Sequence, residues 1–294
     1  MKCTRCKKQA EVELKSHNAA FCRDCFNLFF LNQVQKAIKT FNMFTKKDRI
    51  LVAVSGGKDS LTLWDVLISL GYRADGLFIH LGIEGFSNVA LMKVRKFADE
   101  RGAKVIEVNL TDEGLAIPKV KEKTRRVVCS LCGQIKRYYF NMVGLKNNYD
   151  VLATGHNLDD EASRLFSNVL HWKMDYLKEQ SPALPSEDGL LKKVKPLCRL
   201  TEFETSVYAF FKKIDYVDIS CPFSKGATFT TYKKHLNSIE YHSPGTKIDF
   251  YQGFLKKLRP ILEEKREEKK NLCRICGYPT FSDICSICRL KGLS

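Results

Sequence analysis

The centre of the chain carries two cysteines with the spacing of metal ligands or of a redox dithiol. Cys129 and Cys132 lie in "VVCSLCGQIKR", residues 127–137, and form a C-x-x-C motif. A thiolate is both a nucleophile and a soft metal ligand, so the pair can bind a metal or cycle between dithiol and disulfide. In a chain without a secretion signal, metal or redox chemistry is favoured over a structural disulfide.

Eight further cysteines form two terminal groups with the spacing of zinc fingers. The first group reads C-x2-C-x15-C-x2-C and the second reads C-x2-C-x8-C-x2-C. Each group offers two short knuckles, and four thiolates complete the tetrahedron that a structural Zn²⁺ requires. We therefore predict two zinc sites, with Cys3, Cys6, Cys22 and Cys25 in the first and Cys273, Cys276, Cys285 and Cys288 in the second.

A glycine-rich turn follows an apolar segment in "AVSGGKDS", residues 53–60. Its first serine and two adjacent glycines let the backbone turn tightly and point N–H groups at an anion, and a following helix adds a favourable dipole. The lysine would neutralise phosphate charge, while the aspartate and the last serine would cap the helix or bind metal and phosphate. The segment is not a Walker motif, in which the glycines are separated. The candidate residues are Ser55, Gly56, Gly57, Lys58, Asp59 and Ser60.

A second polar block, "LATGHNLDDEA" at residues 152–162, follows another apolar segment. Gly155 would let the backbone pass close to an adenine or a ribose. Asp160 stands at a predicted helix start, where it would cap the helix or lie near Mg²⁺ or the substrate. Lys136 comes four residues after Cys132, so both side chains would share one face of a helix.

These motifs together resemble the tRNA-thiolating branch of the PP-loop ATP pyrophosphatases, and most of all the TtuA-type tRNA 2-thiouridine synthetases. "SGGKDS", "CSLCGQIKR", "LATGHNLDDEA", the later "SCPFS" (220–224) and the two zinc units carry the resemblance over nearly the whole chain. Members of this superfamily split ATP between the α- and β-phosphates and adenylate a substrate oxygen. The resemblance implies contacts to ATP and Mg²⁺ from Ala53, Ser55, Gly56, Gly57, Lys58, Asp59, Ser60, Ile79, Gly155 and Asp160.

The same resemblance implies how the central cysteines work. Cys129, Cys132 and Cys221 would hold a [4Fe–4S] cluster by three thiolates, which leaves one iron open for sulfide. A third zinc site or a redox dithiol remains the alternative. Catalytic roles are implied for these cysteines and for three further residues, which are Lys136, Asp160 and Asp59.

The resemblance also implies the substrate and the partners. The expected product is 2-thiouridine or 2-thioribothymidine at tRNA position 54, and thiolation of the wobble uridine 34 is the alternative. Sulfur would arrive on the thiocarboxylated C-terminus of a ubiquitin-like carrier protein, and the enzyme would be a homodimer.

The elements that would position these residues alternate between strand and helix patterns from residue 50 onwards. This alternation of strands and helices predicts an α/β fold with a doubly wound parallel sheet, in which ligands bind at the carboxyl ends of the strands. We predict an N-terminal zinc finger over 1–28, a linker helix over 29–49, a PP-loop catalytic domain over 50–222, a helical basic region over 223–270 and a C-terminal zinc finger over 271–294.

The charge of the chain favours a polyanionic partner. Forty-nine Lys and Arg against 33 Asp and Glu give a formal charge of +16, and two zinc sites of about −2 each leave the chain strongly basic. The tract "KVKEKTRR" (119–126) and the lysines at 192–195 and 233–234 are predicted to attract RNA phosphates. The sequence shows neither a signal peptide nor a membrane span, which predicts a cytoplasmic protein.

Two functions from other classes remain open at this point. A zinc-ribbon protein could bind RNA without catalysis, although the intact "SGGKDS" argues against a decayed nucleotide site. A PP-loop ligase could act on a small molecule, although the basic charge and the two zinc units argue for a nucleic acid.

Overall fold

The computed structural model of the protein describes residues 1–123, 127–187, 189–224, 229–262 and 271–293. Its N-terminal unit consists of β1 (Val12–Leu14), β2 (Ala19–Phe21) and α1 (Arg23–Thr40), with the two strands antiparallel. The linker helix predicted over 29–49 therefore begins inside the cysteine unit and ends at Thr40. It ends early because Asn42 adopts φ 45° and the Met43 N–H bonds back to Ile38 O, which closes the helix.

A six-stranded sheet forms the centre of the molecule, and its strand order is β5-β4-β3-β6-β8-β7. All neighbouring strands are parallel except β7 and β8. The α/β doubly wound prediction is confirmed, but the sequence did not reveal the antiparallel edge strand, because two residues carry no periodicity. The elements of this region are β3 (Arg49–Val54), α2 (Lys58–Ser69), β4 (Arg73–His80), α3 (Ser87–Arg101), β5 (Val105–Asn109), α4 (Ile117–Glu122), α5 (Val128–Lys146), β6 (Val151–Thr154), α6 (Leu158–Leu170), α7 (Met174–Lys178), β7 (Ala183–Leu184), β8 (Lys192–Val194) and α8 (Glu202–Phe211).

The strand order reverses between β3 and β6. From β3 the chain moves outwards through β4 to β5, and it then returns to the other side of β3 to form β6. The loops that leave the carboxyl ends of β3 and β6 therefore lie next to each other, and such a switch point opens a crevice for ligands. The register pairs Ala53 with Thr154, so "SGGKDS" and "GHNLDD" begin side by side.

Helices cover both faces of the sheet because the strands alternate two apolar sets. In β3, Ile50 and Val52 belong to the larger core cluster with α2, α3, α6 and α8, whereas Leu51 packs with residues of α5 on the opposite face. The N-terminal unit packs on the first face, where Phe30 stacks on Tyr208 with ring centroids 4.3 Å apart. The C-terminal unit packs on α5, where the Tyr138 and Tyr278 rings are 5.0 Å apart.

After the sheet, residues 229–262 are mainly helical, and the C-terminal cysteine unit adds two short strands and one helix. The elements of this part of the chain are α9 (Phe229–His242), α10 (Thr246–Gly253), a π-helical turn (Phe254–Leu258), α11 (Arg259–Leu262), β9 (Asn271–Leu272), β10 (Pro279–Thr280) and α12 (Ser286–Leu290). The charged run "EEKREEKK", predicted as a helix end, occupies residues 263–270 and lies outside the described residues. Within the described part of the chain, no helix combines the length and the apolarity that crossing a bilayer requires.

A buried ion pair fixes α6 to the segment after β8. The Lys195 ammonium lies 2.7 Å from Glu161 Oε2, and both side chains are almost fully buried. Tyr251 donates its hydroxyl to the same oxygen at 3.1 Å. Burial acts to raise the pKa of Glu161, yet the charge of Lys195 holds that pKa below its usual value.

Replacing Lys195 with methionine should destabilise the protein strongly, because it leaves the Glu161 carboxylate buried without its counterion. We expect the free energy of unfolding to fall by about 3–5 kcal/mol, measured by urea denaturation at neutral pH. Lys104 is an exposed lysine, and its methionine variant should change the stability by less than about 0.5 kcal/mol. Equal stabilities of the two variants would contradict the prediction.

Candidate functional site

The turn after β3 is closed by the two serines of the glycine-rich motif. Ser60 Oγ accepts a hydrogen bond from the Ser55 N–H at 3.1 Å and donates one to the Gly57 carbonyl at 2.9 Å. Ser60 therefore holds the loop and does not cap α2, which begins at Lys58 without a side-chain cap on Gly57. The first N–H groups of α2 are then available to an anion, as at other helix N-termini that receive phosphate.

Two glycines bring neighbouring backbones into contact at this turn. Gly56 adopts φ +80°, and a β-carbon there would lie 2.9 Å from Ala90 O. A β-carbon on Gly155 would lie 2.9 Å from the carbonyl group of Asp59 and from the Ser60 N. The loop after β6 is thus pressed against the first turn of α2, and only glycine leaves room for this approach.

Lys58 and Asp59 are paired with side chains of α8. Lys58 Nζ lies 3.0 Å from Asp59 Oδ1, 3.3 Å from Thr205 Oγ1 and 3.8 Å from Glu202 Oε1. Thr205 donates its hydroxyl to Asp59 Oδ1 at 2.6 Å. Asp59 therefore does not cap α2, contrary to one of the two sequence interpretations, and its carboxylate stays beside the phosphate-binding turn.

Asp160 uses both of its carboxylate oxygens at the start of α6. Oδ2 accepts the Asn157 N–H at 3.1 Å, and Asn157 Oδ1 accepts the Asp160 N–H at 3.1 Å, which together form a capping box. Oδ1 lies 2.8 Å from the Lys233 ammonium. Asp160 therefore caps its helix and is also tied to α9.

A cavity of about 300 Å³ lies at the carboxyl edge of the sheet, and its walls are largely apolar. The strand ends and the turn after β3 contribute one part of its wall, and the first turns of α5 contribute another. A flat apolar heterocycle of the size of adenine fits such a space. Of the predicted site residues, the cavity brings together Ala53, Ser55, Ile79, Cys129, Cys132, Lys136 and Cys221.

The three central cysteines line this cavity from two separate segments. Cys129 and Cys132 stand near the start of α5, and the Cys129 thiol donates to the Phe223 carbonyl, two residues after Cys221, at 3.2 Å. At least one Sγ–Sγ distance among the three exceeds 4.8 Å, because within the described chain only the two terminal groups meet that limit. A single zinc with bonds of about 2.3 Å would need closer thiolates, so the donor set fits a larger multi-iron group better.

The terminal cysteine groups fit Zn²⁺ by distance. In each group all four Sγ atoms lie within 4.8 Å of one another, and thiolates around one Zn²⁺ are about 3.8 Å apart. Cys6 and Cys22 are 3.5 Å apart, and Cys276 and Cys285 are 3.7 Å apart. Both groups could therefore hold a metal ion, as the spacing predicts.

Three cations converge beside the end of β8, between α5 and α6. Leu191 packs against Gly144 of α5. Lys193 comes two residues later on the same strand region, so its side chain points to the face of the sheet that α5 covers. The pKa of Lys193 is lowered to about 8 by burial and by the charges of Lys195, Arg164 and Arg137. Within the described chain, no salt bridge joins Arg137, Arg164 or Lys193 to a carboxylate. Such a group can receive an anion.

Comparison with known proteins identifies the family. The family model "2-thiouridine synthetase TtuA, N-terminal LIM domain" matches residues 2–27, and the model "PP-loop domain" matches residues 30–219. A tRNA-5-methyluridine(54) 2-sulfurtransferase of Thermotoga maritima is 44% identical, over 99% of this chain and 96% of its own length. The chain belongs to the tRNA-5-methyluridine(54) 2-sulfurtransferase family. A member from Thermus thermophilus is 43% identical, over 99% of this chain and 91% of its own length.

The fold of the family is also that of a solved wobble-uridine enzyme. The structure of the U34-tRNA thiolase NcsA from Methanococcus maripaludis with its [4Fe-4S] cluster has a TM-score of 0.82 and 25% sequence identity to this sulfurtransferase chain. The match covers 99% of this chain and 96% of NcsA. This match and the PP-loop domain model confirm the predicted fold, and the two terminal groups of four cysteines are both present in the structure.

Two residues of the site in this sulfurtransferase have no distinct signal in the sequence. Glu202 and Thr205 contact Lys58, yet Thr205 follows it by 147 residues. The one local clue is the capping box of Thr201 and Glu204, which marks the start of α8. That clue locates the helix and does not indicate which residues face Lys58.

Proposed function

We propose that this chain is an ATP-dependent tRNA sulfurtransferase that replaces O2 of uridine 54 with sulfur. The observation that carries the proposal is the shared cavity, which is lined both by Ser55, the first residue of the phosphate-binding turn, and by Cys129, Cys132 and Cys221. The reaction needs both components, because adenylation of O2 activates the C2 carbon, and this carbon must meet a sulfur nucleophile before water reaches it.

The first step is the attack of uridine O2 on the α-phosphorus of ATP, which releases pyrophosphate. The N–H groups at the start of α2 and the Lys58 ammonium would stabilise the charge that develops on the phosphate oxygens. Lys136, one turn after Cys132 on the cavity wall, would supply a second positive charge. Adenine would occupy the apolar space between Ala53 and Ile79.

A proton must leave the uracil ring in this step. When O2 bonds to phosphorus, N3 loses its hydrogen so that the ring stays neutral, and a carboxylate is a suitable acceptor. We assign this role to Asp160, whose oxygens are already fixed by Asn157 and Lys233. Asp59, beside the phosphate-binding turn, would hold Mg²⁺ together with ATP phosphates, because Mg²⁺ prefers carboxylate and phosphate oxygens.

The three cavity cysteines would hold a [4Fe–4S] cluster, and the two terminal groups would hold one Zn²⁺ each. When bound, such a cluster, with one iron free of cysteine, would supply sulfur as the nucleophile that replaces the adenylated O2 at C2 of the uridine, with AMP as the leaving group. The zinc ions would have no part in the chemistry, because all four of their positions are taken by thiolates.

Position 54 is favoured over position 34 by the relatives. The proteins that are 43% and 44% identical over almost the whole chain carry position 54 in their names, whereas the U34 thiolase is 25% identical. The test is to map thiolated nucleosides in tRNA from a deletion strain. Loss of 2-thiolation at position 54 alone supports the proposal, and intact thiolation at both positions would refute it. A non-catalytic RNA-binding protein would release no pyrophosphate in vitro.

We propose that Arg137, Arg164 and Lys193 contact phosphates of the tRNA backbone. Replacing Arg137 or Arg164 with alanine should weaken tRNA binding and reduce the slope of log Kd against log salt concentration by about 0.7–0.9 per residue. Fluorescence anisotropy with labelled tRNA over a series of salt concentrations measures both quantities.

The matched control is Arg95, an arginine whose guanidinium is already bonded to Glu107 at 2.7 Å. Arg95→Ala should leave the slope unchanged. If Arg137→Ala and Arg95→Ala give the same slope as the unmodified protein, the cation group does not contact phosphate.

Two partners are proposed on the resemblance of the motifs alone. A ubiquitin-like carrier with a thiocarboxylated C-terminus would deliver sulfur, and a second copy of the chain would complete a homodimer in the cytoplasm. Sulfur transfer from purified thiocarboxylated carrier tests the first partner. Light scattering on the metal-loaded protein tests the second, since a monomeric mass would rule out the dimer.

A further inference from the structure

A line of alternating charges joins the two candidate carboxylates of the site. The Lys233 ammonium lies 2.8 Å from Asp160 Oδ1 and 2.9 Å from Glu202 Oε2. The other oxygen of Glu202 is 3.8 Å from Lys58 Nζ, which in turn lies 3.0 Å from Asp59 Oδ1. The order of charges from α6 to the phosphate-binding turn is therefore minus, plus, minus, plus, minus.

Lys233 comes from a part of the chain outside the PP-loop domain. It lies on α9, beyond the residues 30–219 that match the domain model. α9 packs on α6 through Tyr232, the residue before Lys233. The Tyr232 ring contacts the Phe166 ring edge to face, and the Tyr232 hydroxyl lies 2.9 Å from His171 Nε2. Lys233 is thus held by its helix at the carboxylate of Asp160.

The contacts of Lys233 argue against a role as a simple surface charge. Its side chain is 20% exposed, and two of the three N–H donors of its ammonium group have a carboxylate oxygen at hydrogen-bond distance. Burial acts to lower the pKa of Lys233, but Asp160 and Glu202 raise it above its usual value, so the ammonium stays charged. The sequence interpretation of Lys233 as an RNA phosphate contact is therefore not the one that its geometry favours.

We propose that Lys233 is a positioning residue for Asp160, and that Glu202 couples it to Lys58 at the phosphate-binding turn. Asn157 fixes one oxygen of Asp160 and Lys233 fixes the other, so the carboxylate has a single orientation. Without Lys233, the Asp160 carboxylate can rotate, and Lys58 is then the remaining lysine paired with Glu202. This inference deepens the proposed function and rests on it.

The test measures tRNA-dependent pyrophosphate release in single turnover, which reports adenylation without requiring sulfur transfer. Lys233→Ala should slow this step by about 10²-fold, the effect of a misplaced catalytic group, while the affinities for ATP and tRNA stay within about twofold. Lys233→Arg should restore most of the rate, because it keeps the charge between the two carboxylates. Lys146→Ala, at an exposed position on the last turn of α5, should behave as the unmodified protein.

A double-variant cycle separates positioning from other roles. If Lys233 acts through Asp160, the protein with both Lys233→Ala and Asp160→Asn should be no slower than the protein with Asp160→Asn alone. Losses that multiply would overturn the inference, as would a rate for Lys233→Ala within about twofold of the unmodified protein. A weaker tRNA affinity with a salt slope reduced by about 1 would assign Lys233 to a phosphate instead.

If Lys233→Ala lowers the thermal unfolding midpoint, Lys233→Met keeps the aliphatic stem and takes its place in the cycle. If the unmodified protein itself releases no pyrophosphate with tRNA, the proposed function fails and this inference fails with it. An active unmodified protein with an equally active Lys233→Met variant refutes the inference alone.

Discussion

Replacement of Cys129 with alanine is expected to abolish sulfur transfer while tRNA-dependent pyrophosphate release continues. The Cys129 thiol stands on the cavity wall formed by α5, where it bonds to the Phe223 carbonyl. The bonds that close the phosphate-binding turn involve Ser55, Gly57 and Ser60 and make no use of Cys129. Its loss would therefore remove a proposed ligand of the cluster and leave the proposed adenylation site intact.

The expected loss of sulfur transfer is more than about 10³-fold, as for other groups that act as one unit in catalysis. Protein purified without oxygen should contain about four irons per chain, and the Cys129→Ala variant should lose most of them. Its zinc content should not change, because the eight proposed zinc ligands are the cysteines of the two terminal groups. Thiolated nucleosides by mass spectrometry and metals by elemental analysis measure the two effects.

Cys198 offers a matched control. Its thiol is fully buried, and burial raises its pKa to about 12, so it is neither a nucleophile nor an accessible ligand. Cys198→Ala should keep both the iron and the sulfur transfer. Full sulfur transfer by Cys129→Ala would remove the central cysteines from the mechanism, and three zinc ions per chain would make them structural.

The sequence predicts a site best when the residues of that site lie close together along the chain. The proposed phosphate-binding turn uses consecutive residues from Ser55 to Ser60, and each terminal cysteine group consists of two C-x-x-C motifs, so sequence spacing is enough to predict these sites. Cys221 is different, because its approach to Cys129 depends on the path of the chain through β8 and α8. Only the family resemblance joined it to the central pair.

The partners of charged residues are the hardest feature to predict from the sequence, because the sequence around a lysine does not show whether it contacts a carboxylate, a phosphate or solvent. Lys193 and Lys195 belong to one basic tract, yet Lys195 is buried against Glu161 while Lys193 has no such partner in the described chain. The sequence predicts that Lys233 contacts RNA, whereas in the structure its ammonium group pairs with Asp160. These roles are set by tertiary neighbours that lie far away in sequence, which no local pattern records.

Substitution of Gly155 with alanine should disable ATP binding, although residue 155 would touch no phosphate in the proposed mechanism. The new β-carbon would lie 2.9 Å from the carbonyl carbon and oxygen of Asp59 and from the Ser60 N. All three atoms belong to the backbone, so no side-chain rotation relieves the overlap. The first turn of α2 must move, and its N–H groups are the proposed phosphate donors.

We expect the affinity for ATP to fall by about 10²-fold, because donors fixed for a phosphate lose most of their effect when they are displaced by about 1 Å. Pyrophosphate release should fall at least as much. Isothermal titration calorimetry with ATP measures the first effect, and circular dichroism shows whether the variant is folded. Gly56→Ala displaces the same turn from the opposite side, through Ala90 and a backbone φ of +80°, and it should give the same loss.

The control is a glycine without close neighbours. A β-carbon on Gly253 would meet nothing within 4 Å, and Gly253 is the last residue of α10. Gly253→Ala should leave ATP binding unchanged and should not lower the stability, because alanine favours a helix. If a folded Gly155→Ala protein bound ATP within about twofold of the unmodified affinity, the contact between the two loops would not shape the phosphate site. ATP binding would then depend on the turn after β3 alone, and the switch point between β3 and β6 would serve only the second substrate.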